Sequence, residues 1–297
     1  MILLKFATIG IAVGILVAFG CGRWLLHRPK PLRMGLLVGS IALVLLKGCF
    51  VLRPDWEFPL VQRFGLELGW FTGWWPLIPF SLLLGYSTHF LPQSRRSIYF
   101  GFAGFFYLIF LLDGGFRLIT DYRDLNGKPD EQGVCLQSSE YSCGAAAAAS
   151  FLFLLGYSTT EAEMARLCRP SRITGVNEYI LAWAINQYLQ QHQAAQRVQV
   201  DLLSKALPQN KAFPLLAIRR LNFLVAHWIV LARQEGNQVW VLDPLEGARR
   251  VPLATLQKTL QPVCIRLQRQ KPILPKSKAA FIVRFLSMGW GFNEKTS

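Results

Sequence analysis

Apolar residues dominate the first 120 positions and then give way to shorter, patterned runs. Four segments, 2–26, 34–52, 70–87 and 98–118, each approach the roughly 20 apolar residues that span a hydrocarbon core. Trp70, Trp74, Trp75, Tyr86, Tyr99 and Tyr107 lie in and beside them, where interfacial aromatic belts would fall. Pro76 and Pro79 interrupt the third segment, a kink that neighbouring helices tolerate. The pattern therefore predicts four spans, with three as the alternative. Gly20-Cys21 resembles a lipoprotein cleavage step, but the apolar run continues through Trp24, Leu25 and Leu26, which favours a retained span over a signal peptide.

At 121–133 the composition turns to Asp, Arg, Asn, Gly and Pro, which predicts a linker. Helical spacing follows over 143–155, 160–169 and 177–191, and Ser158-Thr159-Thr160-Glu161 supplies capping residues before the second helix. Short runs rich in Val, Ile, Leu and Trp come next, at 212–218, 223–232, 238–243 and 263–267, with polar turns between them. Helices first and an antiparallel sheet afterwards predict an α+β domain over 134–270 behind an α-helical membrane domain at 1–120. The tail, 271–297, mixes Lys276, Lys278 and Arg284 with Phe281, Ile282, Phe285, Trp290 and Phe292. It predicts a helix lying in the headgroup region, or else one docked on the domain.

Composition agrees with the pattern. Charged residues are 16% of the chain, below the quarter usual in soluble domains, which fits a lipid-embedded portion. The net charge of +15 has its basic residues clustered beside apolar segments, and no RNA- or DNA-binding signature accompanies them. An anionic bilayer is thus the expected partner, not nucleic acid. Basic loops at 23–33 and 88–97 would be cytoplasmic, leaving both termini and the α+β domain outside a bacterial plasma membrane. The six cysteines, at 21, 49, 135, 143, 168 and 264, form no CxxC and no zinc-ligand spacing, so no metal or other cofactor is expected. They imply no disulfide framework either, although Cys135–Cys168 and Cys168–Cys264 pairings are open to the spacing.

Elimination narrows the chemistry. His27 and His89 fall in membrane loops and His192 in a glutamine-rich stretch, whereas His227 stands inside the apolar strand from Leu224 to Leu231. A lone strand histidine is ordinarily structural, so its companions decide. Cys143 opens an alanine-rich helix, where the dipole and free N–H groups favour a thiolate. Asp243, the sole aspartate after His227, ends a neighbouring strand before Pro244 and can reach the imidazole across a hairpin. Gln137, six residues before Cys143, could donate to an oxyanion together with the Cys143 N–H. Taken singly, each has a plain reading: a core cysteine, a turn aspartate, a solvated glutamine.

Together these residues resemble the C39 family of cysteine peptidases, the bacteriocin-leader peptidases of the papain-like group. The resemblance is carried by Gln137, five residues and then Cys143-Gly144-Ala145; by Thr174-Gly175-Val176-Asn177; by Ala226-His227-Trp228-Ile229-Val230-Leu231; and by Leu242-Asp243-Pro244 with Gly247 shortly after. It covers roughly 130–268. It implies Cys143 as nucleophile, His227 as general base and acid, Asp243 as the group orienting the imidazole, Gln137 in the oxyanion hole, and a peptide or protein substrate. Ser142 stands where many members have Asp. The sequence contains no GxxxxGK[ST] phosphate loop, so ATP is not expected to be used and any transporter would be a separate partner. Amidase or transamidase chemistry with the same triad, or peptide binding without cleavage, are the alternatives that these residues leave open.

Overall fold

The computed structural model describes residues 2–53, 56–58, 60–61, 69, 74–203, 213–221 and 226–268. Among them, the apolar N-terminal portion forms helices α1 (Ile2–Trp24), α2 (Lys30–Leu52), α3 (Leu77–Ser87) and α4 (Gln93–Ile119). Three stretches, Thr8–His27, Lys30–Phe50 and Gln93–Ile119, are long and apolar enough to cross a bilayer. The third expected span differs. Its described helix, α3, has 11 residues, about 16 Å at 1.5 Å per residue, or roughly half a hydrocarbon core. Pro76 caps that helix instead of kinking it, and 70–73 lie outside the described residues. Helices α1 and α3 meet through glycines: a Cβ on Gly22 would strike the Leu82 carbonyl, and one on Gly85 the Phe19 carbonyl. Small residues of this kind let helix backbones approach closely.

The polar stretch after α4 lies against the domain that follows. Tyr122 is 2% exposed and its hydroxyl donates to the Pro170 carbonyl at 3.0 Å. Helices α5 (Cys143–Leu154), α6 (Glu161–Cys168) and α7 (Glu178–Gln191) come next. Caps fix where two of them start: Thr160 accepts from the Glu163 N–H at 3.2 Å, and Asn177 from that of Ile180 at 2.9 Å. Strands β1 (Val198–Leu202), β2 (Leu215–Arg220), β3 (Ala226–Glu235), β4 (Gln238–Asp243) and β5 (Gly247–Pro252) follow, then the short helix α8 (Leu253–Thr259) and strand β6 (Leu260–Leu267). They build one antiparallel sheet in the order β1-β6-β2-β3-β4-β5.

The central strands read as continuous apolar runs because both faces are covered. Leu216, Ile218, Trp228, Val230 and Leu242 join the core with α5, α6 and α7. On the other face Leu215, Ala217, Ile229, Leu231 and Val241 pack with Leu256 of α8. Helix α5 is the innermost element, with Ala145 to Ala149 all fully buried. Alanines let this helix sit close to β3 and hold its first residue, Cys143, at a fixed place. All six cysteines are free thiols, so neither disulfide pairing forms. The expected tail helix, 276–292, lies outside the described residues.

Candidate active site

Cys143 begins α5 and is partly exposed, while the alanines behind it are closed off. The first turn of a helix leaves its N–H groups without partners inside the helix, so the sulfur sits where such donors converge. Ser142 precedes it, fully buried, its hydroxyl donating to the Ser139 carbonyl at 2.7 Å. Gly144 is required by packing: a Cβ there would overlap Val176 and press on the Trp228 ring. That ring is itself fixed by a 3.0 Å bond from its Nε1 to the Val176 carbonyl.

His227, 2% exposed, lies near the start of β3. Its Nε2 donates to Asp243 Oδ1 at 2.8 Å, and the imidazole and the Cys143 side chain line the same groove. With Nε2 engaged by the carboxylate, Nδ1 is the nitrogen left for the thiol. Burial alone would disfavour the imidazolium, but the hydrogen-bonded Asp243 carboxylate and the nearby Cys143 sulfur favour the charged ring, outweigh burial and push the group from 6.5 up to about 9. Asp243 is held below its ordinary value. Burial opposes this, yet His227, the Leu245 N–H at 3.0 Å and Arg219 favour the carboxylate.

Two arginines complete this pocket. Arg219 faces His227 directly across the β2–β3 pair, and its Nη1 reaches Asp243 Oδ2 at 3.1 Å. Arg249 on β5 adds Nη2 at 3.4 Å from the other side. Glu246 binds both guanidiniums, that of Arg219 at 2.9 Å. Sequence reasoning missed both arginines: Arg219 reaches the site through the β2–β3 register, and Arg249 lies on β5, a strand with no apolar run to reveal it.

Gln137 approaches from the loop before α5. Its backbone N–H donates to the Pro244 carbonyl at 2.9 Å, tying this loop to the Asp243-Pro244 turn. One Nε2 hydrogen is used by the Ser139 carbonyl at 3.0 Å, leaving the second available. The next residue, Ser138, is pinned by Glu161, a fully buried carboxylate that accepts from the Ser138 N–H and hydroxyl and from the Gly127 N–H, at 2.9, 2.6 and 3.0 Å. Gln137, Cys143 and His227 all line one open groove of about 1070 Å³, while Asp243 stays behind the histidine. Of the four expected residues, then, three share the groove and the fourth supports one of them. The remaining buried thiols contrast with Cys143. Burial, aided by nearby negative charge, pushes Cys135 and Cys264 up to about 12, and burial does the same to Cys168.

In this α+β fold a cysteine opens a buried helix and shares a groove with a strand histidine that an aspartate holds. Residues 131–271 match the sequence profile of the Peptidase C39 family. No curated protein matches the chain. Among solved structures, the chain is similar to the peptidase domain of Streptococcus ComA, a bi-functional ABC transporter involved in a quorum-sensing pathway. Identity is 17% and the TM-score 0.39, over 46% of this chain and 96% of that one. A double glycine motif protease from an AMS/PCAT transporter, in complex with the leader peptide, gives 22% and 0.38 over 48% and 94%. The peptidase domain of Streptococcus mutans ComA gives 16% and 0.35 over 46% and 98%.

Proposed function

We propose that this chain is a membrane-anchored cysteine peptidase that cleaves a peptide or protein segment presented at the bilayer surface. The observation that carries the reading is His227, bonded to the Asp243 carboxylate at 2.8 Å and lining one open groove together with Cys143. The proton of Cys143 rests on Nδ1 of His227, leaving a thiolate beside an imidazolium, and the sulfur attacks the scissile carbonyl. The free Nε2 hydrogen of Gln137 and the Cys143 N–H receive the oxyanion. The imidazolium returns the proton to the leaving amine, and water, deprotonated by the same ring, releases the acyl group. Asp243 keeps the tautomer fixed, and the two arginines keep Asp243 ionised. Thiol, imidazole, amide and carboxylate groups of the chain itself carry every step. The three long apolar helices supply the anchor in a bacterial plasma membrane.

Leader-type peptides with a Gly-Gly cleavage site are the substrate class that the family match suggests, delivered to or received from a separate transporter. The test is hydrolysis of such peptides by the full chain in lipid nanodiscs, followed by mass spectrometry. Wild type should cut at one peptide bond, and Cys143→Ala should abolish cutting while leaving the fold intact. Cleavage that persists in Cys143→Ala would overturn the assignment. Tight peptide binding with no product in wild type would favour a non-cleaving receptor instead.

A further inference from the structure

Asp113 and Arg117 sit one turn apart near the end of α4, 1% and 7% exposed, and are ion-paired at 3.1 Å. Both reach the loop at 169–175. The Thr174 hydroxyl donates to Asp113 Oδ1 at 2.6 Å and accepts from Arg117 Nη2 at 2.7 Å. Arg117 Nη1 donates to the Arg169 carbonyl at 2.9 Å, and Arg169 Nη1 returns a bond to the Arg117 carbonyl at 3.0 Å. Trp74 closes the other carboxylate oxygen at 3.3 Å. With its hydroxyl both donating and accepting, Thr174 has its rotamer fixed.

The turn so gripped is closed by reciprocal Ser171–Gly175 backbone bonds of 2.9 Å. Its residues from Arg172 to Gly175 form a wall of the groove that holds Cys143. Behind it, Thr174, Asp113 and Arg117 line a second cavity of about 340 Å³. The turn is therefore a partition between groove and cavity, and its backing comes from α4. Burying an ion pair is expensive unless its geometry is fully met, so such a pair acts as a specific lock more than as a general stabiliser.

We propose that Asp113 and Arg117 are positioning residues that set the shape of the groove wall for peptide, which makes the apolar helix α4 part of the peptide-binding apparatus and not only a tether. The inference rests on the thiol-peptidase reading of Cys143. Its test uses the full chain in nanodiscs with two reagents, iodoacetamide and a peptidyl-Gly-Gly vinyl sulfone, together with amide exchange over 169–176. In Arg117→Gln and in Thr174→Val the peptidyl reagent should react about tenfold more slowly, through weaker reversible binding, while iodoacetamide changes less than about twofold. Exchange over 171–175 should rise, and Thr174→Ser should restore both readouts. An unchanged peptidyl rate, unchanged exchange, or both reagents slowing in parallel would overturn the proposal. Failure of the peptidase reading would look different: wild-type Cys143 would resist the peptidyl reagent, and unchanged exchange would still refute the clamp.

Discussion

Replacing Asp243 with Asn perturbs the His227 site in a way that pH should expose. The carboxylate, 1% exposed, accepts from His227, Leu245, Arg219 and Arg249. His227 moves from 6.5 to about 9, a gap of about 2.5 (9 − 6.5). At roughly 1.4 kcal/mol per tenfold this is on the order of 3 kcal/mol. Cys143 shares it, so it is an upper bound for Asp243. Because the folded value lies above the unfolded one, the stabilisation is complete below about pH 6.5 and is lost as pH rises through about 9. The depressed carboxyl behaves oppositely: its share is present above its ordinary 3.8 and is lost as pH falls through the lower folded value. Asp243→Asn should therefore cost about 1–3 kcal/mol more at pH 6 than at pH 10, in urea unfolding of the detergent-solubilised full chain. A second readout is the ratio of Cys143 alkylation by iodoacetate to that by iodoacetamide. An imidazolium beside the sulfur attracts the anionic reagent, so the ratio should drop as His227 loses its proton, near pH 9 in wild type and at least one unit lower in the variant. Equal destabilisation at both pH values with an unmoved ratio would refute the reasoning.

Other substitutions probe the supports. Gly144→Ala places a Cβ against Val176 and Trp228; it should lower stability by about 1–3 kcal/mol and slow Cys143 alkylation, measured by urea unfolding and by the alkylation rate. Glu161→Gln weakens the three bonds that pin Gly127 and Ser138. A loss of about 1.5–3 kcal/mol is expected, with a larger fall in peptide hydrolysis than in iodoacetamide labelling. Gln137→Ala should reduce kcat by roughly 10²-fold while leaving that labelling rate nearly unchanged, because only the acyl-transfer step develops an oxyanion.

The helices of the α+β domain were legible because their signals are local. The expected starts, at 143, 160 and 177, fall on or one residue before those observed, since Thr160 and Asn177 cap as their types predict. Strand β4 was readable in full, at 238–243. Strands β1 and β5 were not, because both are edge strands: β5 carries Arg249 and Arg250 in place of an apolar run, as edges commonly do. Helix α8 escaped because seven residues give too short a period to read. At the site, the meeting of His227 with Asp243 followed from the hairpin, whereas Arg219 depended on the β2–β3 register and Arg249 on an unrecognised strand. The grip of α4 on Thr174 joins residues 61 positions apart, a distance at which no sequence period speaks.

The central claim is that His227 activates Cys143 as the nucleophile, and the most direct measurement is the relative alkylation rate of the six cysteines. The full chain in nanodiscs would be treated with limiting iodoacetamide and mapped by peptide mass spectrometry. Cys143 should react at least about tenfold faster than Cys21 or Cys49, Cys135, Cys168 and Cys264 should stay unmodified, and His227→Ala should erase the advantage. A Cys143 no faster than Cys21 and Cys49, or one indifferent to His227→Ala, would contradict the account.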